Sequence, residues 1–174
     1  MLVINGWQVF GHPLFLDQIE RLTAAVERAQ RKDPAGFQTT ANAKVLAALR
    51  RLMFETIPAD PTRSEDRQGG TLGAERRHWF RAKFGGQQFR LFFRYSAAAK
   101  VIVFAWVNDA DTLRTFGSKS DAYAVFRSML DSGNPPDDWV ALLKGANDPE
   151  ARKRLDAISQ HPPQKPDDTP ASMP

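Results

Sequence analysis

The chain of 174 residues contains no cysteine. This absence excludes disulfides, cysteine-ligated zinc, iron–sulfur clusters and thiol nucleophiles. Only three histidines are present, and His12, His78 and His161 are far apart in the sequence. A histidine pair acting as acid and base is therefore not expected. We predict no bound metal and no cofactor.

Long apolar runs are also missing. No stretch approaches the roughly 20 residues that cross a bilayer. The first seven residues lack the basic start and apolar stretch of a signal peptide. We therefore expect a cytoplasmic protein without a membrane partner.

Hydrophobic periodicity predicts an α+β domain. A strand over 2–10 precedes a helix from Pro13 to about Lys32. A second helix begins at or shortly after Asp33-Pro34, ends before Ile57-Pro58, and is followed by a loop over 58–76. The later elements are strands at 78–84, 87–95 and 100–107, then helices at 121–130, 135–143 and 148–158.

The predicted domain covers residues 1–145, and residues 146–174 form a polar helix and a tail. Five of the last thirteen residues are proline. Such a segment cannot form a hydrophobic core. We expect disorder from about His161.

Gly85-Gly86 predicts a two-residue hairpin loop between the first two of these three strands. That loop places Arg81 opposite Arg90 and Trp79 opposite Phe92 on one face, and apolar side chains on the other. Opposed like charges destabilise a sheet, so the pattern favours a binding role. The face that carries the charges contains Arg77, Trp79, Arg81, Lys83, Gln88, Arg90, Phe92 and Arg94.

Positive charge is concentrated in this region. The chain has a net charge of +4, but residues 67–94 alone carry seven basic residues and one acidic residue. A cationic surface with exposed Trp79 and Phe92 suits a phosphate backbone with stacking bases. We expect Ala105 beside Arg90, where its small size leaves room for a ligand group. Arg114, Lys119 and Tyr123 follow the last of the three strands.

Arginine, lysine and tyrosine can together cleave RNA without a metal. The 2′-hydroxyl attacks its own phosphate, and fixed cations stabilise the negative charge that develops there. Arginine forms a bidentate clamp, and lysine or tyrosine can transfer protons. Asp109 and Asp111 are close carboxylates near this face, but aspartate is common in such turns and does not by itself indicate a metal site.

Several motifs resemble the YhaV family of toxins, which belongs to the RelE superfamily. The resemblance covers about residues 5–143. The motifs are Asn5-Gly6-Trp7, Gly11-His12-Pro13, Lys83-Phe84-Gly85, Phe89 to Tyr95, Trp106 to Asp109, Thr112 to Thr115, Asp121-Ala122-Tyr123 and Pro135 to Trp139.

The resemblance implies a RelE-like fold in which an N-terminal strand and a helical hairpin pack on an antiparallel sheet, followed by C-terminal helices. It implies the toxin of a type II toxin–antitoxin system, a metal-independent endoribonuclease that cleaves mRNA, most often on the ribosome. The implied partners are a PrlF-like antitoxin of the AbrB type, mRNA, the ribosome, and operator DNA through the antitoxin complex.

The resemblance also implies roles for individual residues. The catalytic candidates are Lys83, Arg90, Arg114 and Tyr123, with Lys119 as a rival for Arg114. Arg81 occupies a position where related toxins carry lysine, and it is not expected to act as a base because arginine does not deprotonate. The RNA-binding candidates are Arg77, Trp79, Arg81, Phe92, Arg94 and Lys119.

A different reading of the same residues is a module without catalytic activity. A basic sheet with exposed aromatic side chains could hold nucleic acid or an antitoxin and act in operon autoregulation.

Overall fold

The computed structural model describes residues 1–115 and 117–163 and has the expected α+β class. A five-stranded sheet has the order β1-β2-β5-β4-β3. Its strands are β1 (Val3–Ile4), β2 (Trp7–Gly11), β3 (Phe80–Phe84), β4 (Phe89–Ser96) and β5 (Val101–Val107). The helices are α1 (Pro13–Lys32), α2 (Ala41–Arg51), α3 (Ile57–Ala59), α4 (Ala122–Asp131), α5 (Trp139–Ala146) and α6 (Pro149–Gln160). No described helix is both long enough and apolar enough to span a membrane.

The N-terminal half has the predicted order of strand and helices, but the predicted first strand and the start of the second helix differ from the structure. The predicted first strand is a hairpin, because Asn5 and Gly6 adopt positive φ angles of 50° and 82°. Helix α1 begins and ends as predicted, with the His12 side chain as its N-cap. Helix α2 begins late, after the Thr40 cap, because a 3₁₀ turn over Phe37–Thr39 comes first.

The predicted end of the second helix before Ile57 is wrong. A π-helical turn over Leu52–Thr56 leads directly into α3. Pro58 lies in α3, and the helical segment ends one residue later, at Ala59.

The sheet is mixed rather than antiparallel. Strand β2 pairs in parallel with β5, whereas the other neighbouring strands are antiparallel. The three strands after the helical pair form the expected antiparallel part of the sheet, and the N-terminal strand β2 joins it in parallel. Alternation within a strand indicates which faces are buried but does not identify its neighbour, so the sequence pattern gave no sign of this pairing.

The hairpin between β3 and β4 has the predicted faces but different partners. Its loop spans four residues, with positive φ at Gly85, Gly86 and Gln87. The longer loop shifts the register by two residues, so Lys83 pairs with Arg90 and Arg81 with Phe92. A shift of two leaves each side chain on its original face. A bulge at Phe92/Phe93 also changes the β4–β5 register, so the expected pairing of Ala105 with Arg90 is wrong.

Both faces of the sheet are covered. Helices α1, α2 and α6 pack on one face, and buried residues of α4 and α5 pack on the other. The Phe126 ring of α4 stacks on Phe92 at 4.2 Å and meets Trp79 edge-on at 5.0 Å between centroids. Trp79 and Phe92 have no exposed surface. The prediction that these two rings are exposed is wrong, because α4 needs an apolar partner and this face provides it.

Arg94 supports the same layer. Its guanidinium carbon lies 5.5 Å from the centroid of the Trp79 ring and 5.2 Å from that of Trp139, and its Nη1 donates to the Asp137 carbonyl at 2.6 Å. Burial lowers the pKa of Arg94, and Asp137 and Asp138 partly oppose this. Arg94 therefore connects the start of α5 to the sheet through these contacts.

Helix α6 is part of the main core. Its buried side chains Ala151, Leu155 and Ile158 pack in the cluster that contains α1 and β2. The division predicted after residue 145 thus does not separate this helix from the rest of the fold. The disorder expected from about His161 falls mainly on residues 164–174, which lie outside the described residues.

Replacing Leu155 with alanine should lower the free energy of unfolding by about 2–5 kcal/mol, because it leaves a cavity under α6. Val140 on α5 is 71% exposed and is the matched control, since its replacement by alanine should cost less than about 0.5 kcal/mol. Urea titration measures both. Equal midpoints for the two variants would contradict the packing of α6 in the core.

Replacing Arg94 with alanine should lower the free energy of unfolding by about 1–3 kcal/mol, because the two indole rings and the Asp137 carbonyl lose their cation. Exposed Arg77 is the control, and its alanine variant should unfold like the wild type. Urea unfolding together with an RNA-binding assay separates packing from binding. Unchanged stability with lost RNA binding would contradict the packing role.

Candidate active site

Three arginines from different parts of the chain meet at one tyrosine. Arg81 lies on β3, Arg90 on β4, and Arg114 on the segment after β5, while Tyr123 is in the first turn of α4. We call these four residues the arginine cluster. The sheet register and the docking of α4 bring them together, although 42 residues separate the first from the last.

The Tyr123 hydroxyl is the centre of the cluster. Its oxygen accepts hydrogen bonds from Arg81 Nε at 2.7 Å and Arg90 Nε at 3.3 Å. The Arg114 guanidinium carbon lies 4.7 Å from the centre of the tyrosine ring. Tyr123 is only 5% exposed, because its ring also packs against Phe92. The ring and hydroxyl therefore fix three cations in one place.

Arg90 is a buried cation, with 5% of its surface exposed. Its Nη1 donates to the Phe89 carbonyl at 3.1 Å and to the Gln87 carbonyl. Within residues 1–115 and 117–163, no carboxylate lies within 4.0 Å of Arg90 or Arg81. A buried guanidinium that has carbonyl partners and no ionic partner can bind an anion.

Asn108 aligns the strand that carries Arg90. Its side-chain oxygen accepts from the Arg90 backbone N–H at 2.6 Å. Its amide nitrogen donates to the carbonyls of Gln88 at 3.0 Å and Thr112 at 2.8 Å. The buried amide thereby joins the hairpin loop, β4 and the segment leading to Arg114.

Arg81 is held by the loop before β3. Its Nη1 donates to the Glu65 carbonyl at 2.7 Å. Next to it, buried Asp66 forms a bidentate pair with Arg63, at 3.1 and 3.0 Å. Burial raises the pKa of Asp66, although the Arg63 guanidinium acts in the opposite direction. The Asp66 carboxylate therefore hydrogen-bonds to Arg63, and the Arg81 charge acts on its pKa in the same direction as Arg63.

Asp121 is the carboxylate partner of the cluster. Its Oδ1 lies 2.6 Å from Arg114 Nη1 and accepts from the Thr115 N–H at 2.7 Å, and its Oδ2 accepts from the Tyr123 N–H at 3.0 Å. Burial alone would raise the pKa of Asp121. These hydrogen bonds and the Arg114 charge outweigh burial, and the pKa lies below its ordinary value.

The remaining candidates lie at different distances from this site. Lys83 is exposed, faces the same side of the hairpin as Arg81, and pairs in register with Arg90. Lys119 is exposed in the turn before α4, and Arg77 is exposed before β3. Arg94 lies between two indole rings, as described above. Trp79 and Phe92 are buried and provide no stacking surface.

Asn108 and Asp121 were not among the predicted site residues. Both belong to motifs that indicated the family, Asn108 to Trp106–Asp109 and Asp121 to Asp121-Ala122-Tyr123. Their roles depend on which backbone groups approach them in space, which spacing along the chain does not indicate. The Asp109 carboxylate caps a 3₁₀ turn, accepting from the Asp111 N–H at 2.9 Å.

Comparison with known proteins identifies the family of this chain. A family model described as a toxin with endonuclease activity, of a toxin–antitoxin system, matches residues 9–147. Ribonuclease toxin YhaV of Escherichia coli K12 is 44% identical over 142 residues, covering 81% of this chain and 92% of that protein. Toxin YhaV from strain O157:H7 has the same identity and coverage. No solved structure matches the chain. The chain therefore belongs to the YhaV family, the toxins with endonuclease activity of toxin–antitoxin systems.

Proposed function

We propose that this toxin is a ribonuclease that cleaves mRNA, with the arginine cluster as the site for the scissile phosphate. The observation that carries the proposal is buried Arg90, which has no carboxylate within 4.0 Å among the described residues and shares Tyr123 with Arg81 and Arg114. A group of fixed cations suits an anion that gains charge during reaction. The name of the Escherichia coli relative, a ribonuclease toxin, supports RNA as the substrate.

The proposed reaction is an internal transfer of the phosphoryl group. The 2′-hydroxyl oxygen forms a bond to phosphorus and gives its proton to a base. The bond between phosphorus and the 5′ oxygen then breaks, and that oxygen receives a proton from an acid. The products are a 2′,3′-cyclic phosphate and a free 5′-hydroxyl, and no water is consumed.

The side chains of the site have two proposed roles, stabilisation of negative charge and transfer of protons. Arg90 and Arg114 stabilise the negative phosphoryl oxygens, and Arg81 adds a third cation. Arginine does not deprotonate, so proton transfer belongs to Lys83 and Tyr123. The Tyr123 oxygen accepts two guanidinium N–H bonds and retains its own proton for donation. Exposed Lys83 beside Arg90 can reach the substrate from the solvent side.

The wider setting is part of the same proposal. The element order, with an N-terminal strand and helical pair before the sheet and helices after it, supports a RelE-like architecture. We expect cleavage on the ribosome in the cytoplasm, and inhibition by a PrlF-like antitoxin that covers the cationic side. Operator DNA would be contacted through the complex with this antitoxin. Exposed Lys83, Lys119 and Arg77 would contribute RNA contacts around the cluster.

Brief induction of the toxin without its antitoxin should generate new 5′-hydroxyl ends in mRNA, which end mapping of ribosome-bound and free RNA detects. Arg90→Gln should reduce cleavage by about 10²–10³-fold, because it removes a fixed donor at the phosphate. Arg154→Gln is the matched control, since Arg154 pairs with Asp17 and Glu20 on the opposite face of the sheet. It should cleave like the wild type.

Two results would contradict the proposal. Wild-type induction that yields no new 5′-hydroxyl ends would exclude this cleavage reaction. Full cleavage by Arg90→Gln would show that the phosphate binds elsewhere. Cleavage of free RNA at the same rate as ribosome-bound mRNA would refute only the expected ribosome dependence.

A further inference from the structure

We infer that Asp121 is a positioning residue for cleavage, acting through Arg114; this inference rests on the proposed function. The carboxylate binds the Arg114 guanidinium and the Thr115 N–H through Oδ1, and the Tyr123 N–H through Oδ2. One buried side chain thus fixes a cluster cation, the backbone next to that cation, and the first turn of the helix that carries Tyr123. No other described carboxylate contacts two members of the cluster.

The need for this carboxylate follows from the charges around Tyr123. Arg81 and Arg90 bind the hydroxyl, and Arg114 lies over the ring, so three positive charges surround one side chain. Like charges at such distances repel one another, and the repulsion is strongest where water is excluded. Among the described residues, Asp121 is the only carboxylate within 4.0 Å of a cluster arginine. Without it, Arg114 would move away from the other two cations.

Asp121 does more than cap a helix. Asp148 also caps its helix, α6, accepting from the N–H groups of Glu150 and Ala151, but its carboxylate forms no ion pair with any described arginine. Asp121 combines the same type of cap with an ion pair and is buried. Its pKa, which lies below the ordinary value, keeps it ionised at neutral pH. The cap and the charge can therefore be separated by substitution.

Asp121→Asn removes the charge and the contacts that Oδ1 accepts, while retaining the cap at the Tyr123 N–H, because asparagine caps helices as well as aspartate does. We expect kcat for mRNA cleavage to fall about 10²-fold, as small displacements of a catalytic group can cause, with KM changed less than threefold. The matched control is Asp148→Asn, which exchanges the same atoms at the α6 cap and should retain wild-type kcat. Circular dichroism and thermal unfolding establish that each variant is folded.

A double-mutant cycle with Arg114→Ala tests the route of the effect. If Asp121 acts through Arg114, Asp121→Asn should reduce kcat less than about threefold once Arg114 is already alanine. Single-turnover cleavage followed over hours measures the slow variants.

The outcomes separate the two hypotheses. An Asp121→Asn loss of the same size in both backgrounds, or a loss confined to KM, would overturn the positioning role and leave the proposed function intact. The same is true if Asp121→Asn cleaves like the wild type. Absence of cleavage by the wild-type protein would refute the proposed function and this inference together.

Discussion

The hydrogen bonds that the Tyr123 hydroxyl accepts from Arg81 and Arg90 join the β-sheet of this toxin to helix α4. They connect neighbouring strands of the sheet to the helix that covers them. Burying the tyrosine ring favours docking of α4 through apolar contact, and the hydroxyl gives buried Arg90 and half-buried Arg81 a polar partner. Packing and the proposed chemistry therefore depend on the same side chain. The three arginines of the cluster therefore come together only when the aromatic side chains between α4 and the sheet are packed.

Phe126 explains why only part of the charged face of the β3–β4 hairpin is left uncovered. Its ring fills the space between Trp79, Phe92 and Trp106, with the last of these stacked nearly parallel at an interplanar angle of 3°. The hairpin face that alternates cations with aromatic residues therefore has two parts in the folded protein, one covered by α4 and one not. Its aromatic positions belong to the core beneath α4, and Arg81, Arg90 and Lys83 lie towards the loop end of the hairpin. A module that binds nucleic acid by stacking on the sheet would need those rings exposed.

Much of this could be predicted from the sequence, and the failures have identifiable physical causes. Helix α1, the three later strands and the helix carrying Tyr123 follow from local periodicity, and the two faces of the β3–β4 hairpin follow from parity. The pairing partners do not, because the left-handed conformation of Gln87 lengthens the loop in a way that Gly85-Gly86 alone does not indicate. The family resemblance implied Lys83, Arg90, Arg114 and Tyr123 as catalytic candidates, with Lys119 as a rival for Arg114, and the structure brings Arg90, Arg114 and Tyr123 together. Asn108 and Asp121, which hold these residues, were not predicted, because Asn108 contacts the backbone of a neighbouring strand and Asp121 pairs with Arg114 through the fold of the loop between them.

The parallel pairing of β2 with β5 has a consequence for how this protein is made. Strand β2 ends at Gly11, and the strand on which it pairs begins at Val101, so about half of the chain must be synthesised before the two can meet. Helices α1 and α2 pack on a sheet whose central strand is still missing during that time. Contacts of such long range are expected to form slowly. Since Arg114 and Tyr123 follow β5 in the chain, the arginine cluster can form only after every strand of the described sheet has been synthesised.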